Sequence, residues 1–322
     1  MRAHARPLLI ALVALAAATP AAARSTRPPA PARQAAPKAA ACDQACLVGA
    51  AHAYLDAMVA HTPDAPPWAP VVRYSENGVH MMIGDALWGS ITARSQPAVE
   101  AADPETGQVA WLGSVEEHGQ PGFLALRMKV TGGRIADVET VARRKGGPPE
   151  YGDPAANAHD PSFAAAEPKA GRLSRRQLQA LVDGYFASLQ QDDGRLRTRF
   201  ARDCARSDNG VVTTAPGPAA AGGVAGCEAQ IKAGVFKAVA KVRLLRPPVV
   251  DPAKGVVVAA GFLDYPDTAD AYTGADGKAR PAPAKYPLSL AFIAAFKIRN
   301  GAIYRIETIE DAVPYLMPEP MG

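Results

Sequence analysis

Two acidic residues stand directly before Asn-Gly pairs: Glu76 before Asn77-Gly78 and Asp208 before Asn209-Gly210. Burial in a dry pocket raises the pKa of a carboxyl group and makes it a useful base near neutral pH. An acid beside a tight turn can instead stabilise the turn through its own side chain. Both roles are open to this pair. His80 is a further candidate base, because imidazole titrates near neutrality. The alternation Val79-His80-Met81 also suits a His80 that faces solvent. Tyr54 and Tyr185 fall on apolar helical stripes, where an aromatic ring is either core or pocket wall. The same two roles are open to Trp88 and Trp111, and Asp264, next to Tyr265, ends a strand-like run where it could rim a pocket. All six histidines precede residue 173, so histidine chemistry is confined to the first half of the chain. No Gly-x-Ser-x-Gly, His-Glu-x-x-His, phosphate loop or dinucleotide fingerprint occurs, so neither a cofactor nor a metal is expected.

The elements that must position these residues come in two ordered sets. Leu47, Ala51, Tyr54, Leu55 and Met58 predict an amphipathic helix, as do Leu178, Leu181, Val182, Tyr185, Phe186 and Leu189, the latter opened by a Ser174/Gln177 capping box. Ser75-Glu76-Asn77-Gly78-Val79 answers Ser207-Asp208-Asn209-Gly210-Val211, and Asn-Gly suits a type I′ hairpin turn. Asp103-Pro104-x-x-Gly107-x-Val109 answers Asp251-Pro252-x-x-Gly255-x-Val257. Lys129-Val130-x-x-Gly133-x-Ile135 answers Lys297-Ile298-x-x-Gly301-x-Ile303. Long strands are predicted around Trp111–Val115, Phe123–Val130 and Ile135–Val141, and again around Val256–Leu263, Leu288–Ile298 and Ala302–Ile309. A second helical stretch is expected over Cys227–Val239, with a shorter counterpart at Gly84–Thr92. Helices followed by a run of antiparallel strands mean an α+β domain, here duplicated. The Pro-rich stretch 146–172 divides the chain into 42–145 and 173–322.

The start of the chain carries the expected address. Arg2 and Arg6, the apolar run Leu8–Ala18 and Ala21-Ala22-Ala23 read as a signal peptide over 1–23, followed by a disordered Pro/Ala-rich tether over 24–41. The apolar run is short for a membrane span, so none is expected after cleavage and the protein is expected in the periplasm or outside the cell. Export permits disulfides. Of the three connectivities open to four cysteines, Cys42–Cys46 and Cys204–Cys227 keep each pair within one copy; a zinc site, the rival arrangement, lacks ligands at standard spacing. The 322 residues are 48% apolar and carry a formal charge of +4. Residues 1–41 hold six of the basic residues and no acid, leaving 29 basic against 31 acidic in the remainder. That balance gives no footing for nucleic acid as a partner.

The order helix, acidic-Asn-Gly hairpin, helix and three long strands ending in Gly-x-Ile resembles the nuclear transport factor 2-like fold. Cys42-Asp43-x-x-Cys46-Leu47, Gly84-Asp85-x-Leu87-Trp88, Cys204-x-x-x-Asp208-Asn209-Gly210, Gly226-Cys227 and Val313-Pro314-Tyr315 are similar to a family of secreted SnoaL-like proteins whose function is unassigned. The resemblance implies two cone-shaped domains, each a curved antiparallel sheet wrapped over helices around one apolar pocket. It implies a small apolar ligand or, alternatively, a cofactor-independent lyase, isomerase or cyclase with a pocket carboxylate as base. Relatives pair through the open sheet face, so the two copies are expected to pack as an intrachain pseudo-dimer.

Overall fold

A helix opens each copy. In the computed structural model, residues 42–318 are described except for 192, 216–224, 244, 247 and 267; the expected signal peptide and tether lie outside the described residues. Helix α1 (Gln44–Val59) starts at Asp43, whose side chain accepts a hydrogen bond from the Cys46 N–H. Helix α2 (Arg175–Gln191) starts with the Ser174/Gln177 capping box, in which Gln177 accepts from the Ser174 N–H and Ser174 Oγ accepts from the Gln177 N–H. Each cap satisfies N–H groups that the first helical turn leaves open.

Each helix covers one seven-stranded sheet. The first contains β1 (Trp68–Glu76), β2 (Val79–His80), β3 (Ile91–Arg94), β4 (Val99–Asp103), β5 (Gln108–Glu117), β6 (Gln120–Thr131) and β7 (Arg134–Arg143), in the order β2-β1-β7-β6-β5-β3 with β4 also on β5. The second contains β8 (Phe200–Asp208), β9 (Val211–Thr214), β10 (Lys241–Arg243), β11 (Val249–Asp251), β12 (Val256–Tyr265), β15 (Leu288–Arg299) and β16 (Ala302–Pro314) in the equivalent order; β13 (Ala271–Thr273) and β14 (Ala279–Pro281) form a small hairpin inserted between β12 and β15. Asn77-Gly78 and Asn209-Gly210 both have positive φ, as a type I′ turn requires.

Three expectations change. The sheets are mixed, because β1 runs parallel to β7 and β8 parallel to β16. Local turns report only the pairing of neighbouring strands, and these two pairings close long loops. The strand after Asn77-Gly78, expected over Val79–Ile83, is only two residues long. The second helical stretch shrinks to α3 (Cys227–Lys232), after which Gly234, at positive φ, turns the chain; its first-copy counterpart is the 3-10 turn Ala86–Gly89.

The strands are buried on both faces. One face of each sheet meets its helix: Trp111, Leu124 and Leu126 meet Tyr54 and Leu55, and Phe292, Phe296 and Ile306 meet Tyr185 and Phe186. The other faces meet each other, with Leu112, Phe123, Ala125 and Val141 packed among Val258, Ala260, Ile293, Ala295 and Ile309. Alanines on both sides let the sheets approach closely. Period-2 alternation along each strand thus feeds two different cores. The segment 146–172 runs across both sheets and is pinned there: Phe163 is buried in the inter-sheet core, Asp160 pairs with Arg305, His159 with Glu307, and Glu167 with Lys297. Both disulfides are the local ones, Cys42–Cys46 and Cys204–Cys227.

Candidate functional site

In the first copy all the sequence candidates but His80 are buried together. Glu76 is buried, and its Oε2 accepts from the Leu87 N–H at 3.1 Å while Arg144 donates to Oε1 at 3.1 Å. Arg144 also pairs with Glu117 at 2.8 Å. Glu76 therefore anchors the 3-10 turn that carries Trp88. The Trp88 ring lies edge-on to Tyr54 at 5.5 Å, and Trp68 meets Tyr54 at 6.0 Å. Tyr54, Trp88 and Trp111 are all buried in the α1 core, and burial pushes the phenols of Tyr54 and Tyr74 well up. His80 is exposed on β2, opposite Ser75, so it is not a pocket base.

The second copy holds an opening beside its helix core. A cavity of about 490 Å³ is lined by Arg206, Asp208, Phe236, Leu263, Tyr265 and Glu310, with Tyr272 of the inserted hairpin and Gly147–Glu150 of the connecting segment at its walls. Arg206 and Asp208 stand two apart on β8 and so share a face. Arg206 Nε donates to Asp208 Oδ1 at 2.9 Å, and another guanidinium N–H donates to the Tyr185 hydroxyl at 2.9 Å. The guanidinium carbon lies 4.6 Å from the centre of the Phe236 ring. Thr213 Oγ donates to the second Asp208 oxygen at 3.2 Å. Burial lifts the Tyr185 phenol to about 12 against the opposing pull of Arg206.

Glu310 completes the site. Asn209, the first residue of the Asn-Gly turn, clamps its backbone: Nδ2 donates to the Glu310 carbonyl, and Oδ1 accepts from the Glu310 N–H at 2.9 Å. The parallel register sets Thr308 against Asp208, which brings Glu310 beside the Arg206–Asp208 pair. The Glu310 carboxyl is pushed up to about 8, first by desolvation and then by the Asp208 charge, and its Oε2 is buried without a hydrogen-bond partner. A carboxyl group in that state can donate a proton at neutral pH and take one back in its ionised form. Asp264 takes no part. Its neighbours Leu263 and Tyr265 line the cavity, so alternation turns Asp264 to the opposite face, where Arg243 donates to one oxygen at 2.5 Å and Ser289 to the other at 2.5 Å.

Arg206 and Glu310 were not candidates from sequence, yet a signal exists. Aligning Glu139-Thr140 with Glu307-Thr308 sets Ala142 against Glu310, and aligning Ser75-Glu76 with Ser207-Asp208 sets Tyr74 against Arg206. A buried position that is apolar or phenolic in one copy and charged in the other marks the copy with a polar cavity.

A family model described as "Domain of unknown function (DUF8021)" matches residues 41–142 and 171–310. The chain belongs to the DUF8021 family. The two matched DUF8021 segments carry the two sheets. No curated protein matches the chain. Among solved structures it is similar to a putative isomerase from Bacillus subtilis, at 14% identity over 42% of this chain and 87% of that one, with a TM-score of 0.28. It is also similar to an NTF-2 like protein of unknown function from Burkholderia xenovorans LB400, at 13% identity over 32% of this chain and 87% of that one, with a TM-score of 0.23. An uncharacterized protein with a cystatin-like fold from Caulobacter vibrioides matches at 17% identity over 43% and 88%, with a TM-score of 0.26. At these scores the likenesses carry no argument about the site. Among the described residues, no helix is long and apolar enough to cross a membrane.

Proposed function

We infer that this DUF8021 protein is an exported tandem SnoaL-like protein, with its copies at 42–145 and 173–322, and that the second copy binds a small, largely apolar molecule in its cavity. The carrying observation is the cavity itself: the second copy holds about 490 Å³ between apolar walls and one polar pole of Arg206, Asp208 and Glu310. Small-molecule sites combine mostly apolar walls with a few convergent polar groups in this way. Two disulfides and no free cysteine among the described residues fit an oxidising compartment.

The test uses the full disulfide-bonded chain and the neutral apolar dye N-phenyl-1-naphthylamine. Saturable binding of one dye per chain is expected. Ala238 lines the cavity without taking part in the polar pole, so Ala238→Trp should fill the space and abolish binding while leaving the fold intact. Unchanged dye binding by that variant would overturn the assignment.

A second reading is favoured by Glu310 alone: an acid–base lyase, isomerase or cyclase in which Glu310, rather than Glu76 or Asp208, moves the proton. Asp208 is occupied by Arg206 and Thr213, and Glu76 by Leu87 and Arg144; Glu310 Oε2 is unoccupied.

A further inference from the structure

We propose that the second-copy cavity takes an organic amine, an apolar ring-bearing body whose cationic nitrogen pairs with the Glu310 carboxylate. The inference rests on the small-molecule reading above and names the class of that molecule.

Three observations carry it. Glu310 lines the cavity, is 7% exposed, and keeps one oxygen, Oε2, buried with no hydrogen-bond partner in the protein. Its own strand gives it nothing, since the adjacent Asp311 is turned to Arg143 and Asn77. An ammonium group in the cavity would meet this carboxyl group with a charge-assisted hydrogen bond.

Charge is the second observation. The charged groups acting on Glu310 are Arg206 and Asp208 from β8, Glu150 from the connecting segment and Arg143 from β7. Each cation is already matched. Arg206 is bound to Asp208 and Tyr185. Arg143 pairs with Asp311 and donates to the carbonyls of Gly146, Gly147 and Pro149. Once Glu310 ionises, the remaining balance is acidic, from Glu310 and Glu150. A carboxylate or phosphate ligand would add like charge to that excess, and a cation would cancel it.

The third is the wall. Phe236, Tyr265 and Tyr272 line the cavity, and aromatic faces attract cations. The phenols acting on or near Glu310 are Tyr185 from α2, Tyr265 from β12 and Tyr272 from β13, and burial holds those of Tyr185 and Tyr265 neutral. Binding then follows one balanced exchange: the protonated Glu310 carboxyl gives its proton to solvent as the ammonium enters, and the ion pair replaces the neutral acid.

The test is calorimetry on the full chain at pH 7 with tryptamine and its neutral isostere tryptophol, in phosphate and in Tris. Tryptamine should bind at least about tenfold more tightly than tryptophol. The two buffers should report release of nearly one proton per amine and none for tryptophol. In Glu310→Gln the preference for the amine over tryptophol should vanish. If that variant does not fold, the proton release by the unaltered protein decides. Equal affinities, absent proton release, or a preference that survives in Glu310→Gln overturns the inference, and tryptophol binding then still supports the small-molecule reading. Failure of both probes overturns the inference alone if the apolar dye binds, and both readings if it does not.

Discussion

Glu310 sets the pH behaviour of the second copy. Its carboxyl is lifted to about 8 in the fold, against an ordinary value of 4.5. Between those values the folded chain holds a proton that the unfolded chain has released. Stability from this group is therefore complete below about 4.5 and is lost as pH rises towards 8. Glu310→Gln keeps the shape and removes the titration. Its unfolding free energy should match that of the parent near pH 4 and exceed it at pH 8 by an amount of the order of a few kcal/mol, measured by denaturant unfolding at each pH. A parallel pH profile for the two proteins would sink the assignment. At this scale the sequence was half legible. Asp208 could be singled out because an acid before Asn-Gly has a reason to be there. Glu310 sits in an ordinary-looking strand, and its depth depends on a parallel register that no local pattern encodes. Asp264 misled for the same kind of reason. A strand end is polar on either face, and only the phase of the alternation says which face meets the cavity.

The helices and long strands were legible because each carries its period and its stop signals. The 3.6-residue stripes of α1 and α2, the Asn-Gly turns and the Gly-x-Ile strand starts are local facts. The β1–β7 and β8–β16 pairings were not, nor was the shortness of α3, whose end is set by Gly234 packing on Ala275 of the inserted hairpin. The Cys204–Cys227 disulfide joins these elements: it ties β8, which carries Arg206 and Asp208, to α3, which leads into the cavity wall at Val235–Ala238. Closing a loop of separation 23 should contribute about 3 kcal/mol. The double variant Cys204→Ser/Cys227→Ser is therefore expected to lose about that much stability and to bind the apolar dye several-fold more weakly, because the wall is no longer fixed to the polar pole. The Cys42–Cys46 double variant should lose less stability, since it closes a shorter loop, and should keep dye affinity. Equal loss of affinity in both would show that the wall does not depend on its disulfide.

The two sheets share a core. The turn of each copy also presses on the other: a side chain at Gly78 would crowd Met317 and Phe262, and one at Gly210 would strike Phe123. Arg246 of the second copy pairs at 3.0 Å with Glu139 of the first, which also pairs with Arg127. A continuous run such as Val256-Val257-Val258-Ala259-Ala260 signals burial on both faces, and the pseudo-dimer follows from asking what covers the face turned away from the helix. Sequence could not show that the connecting segment becomes a wall of the second cavity, because its prolines announce only that it is neither helix nor strand. The shared core fixes how the molecule must unfold. Ile293 is fully buried between the sheets, on the face opposite the ligand cavity. Ile293→Asp puts a charge there without touching either helix core, at a cost of roughly 3–5 kcal/mol. If the copies stabilise each other, calorimetry of the unaltered chain gives a single transition. The variant then shifts the melting of both halves together, which protease cutting sites on either side of residue 160 would report. Two separate transitions, or a variant that loosens residues 173–318 while 42–145 keep their protection, would mean that each sheet is stable on its own helix and that the inter-sheet core only docks them.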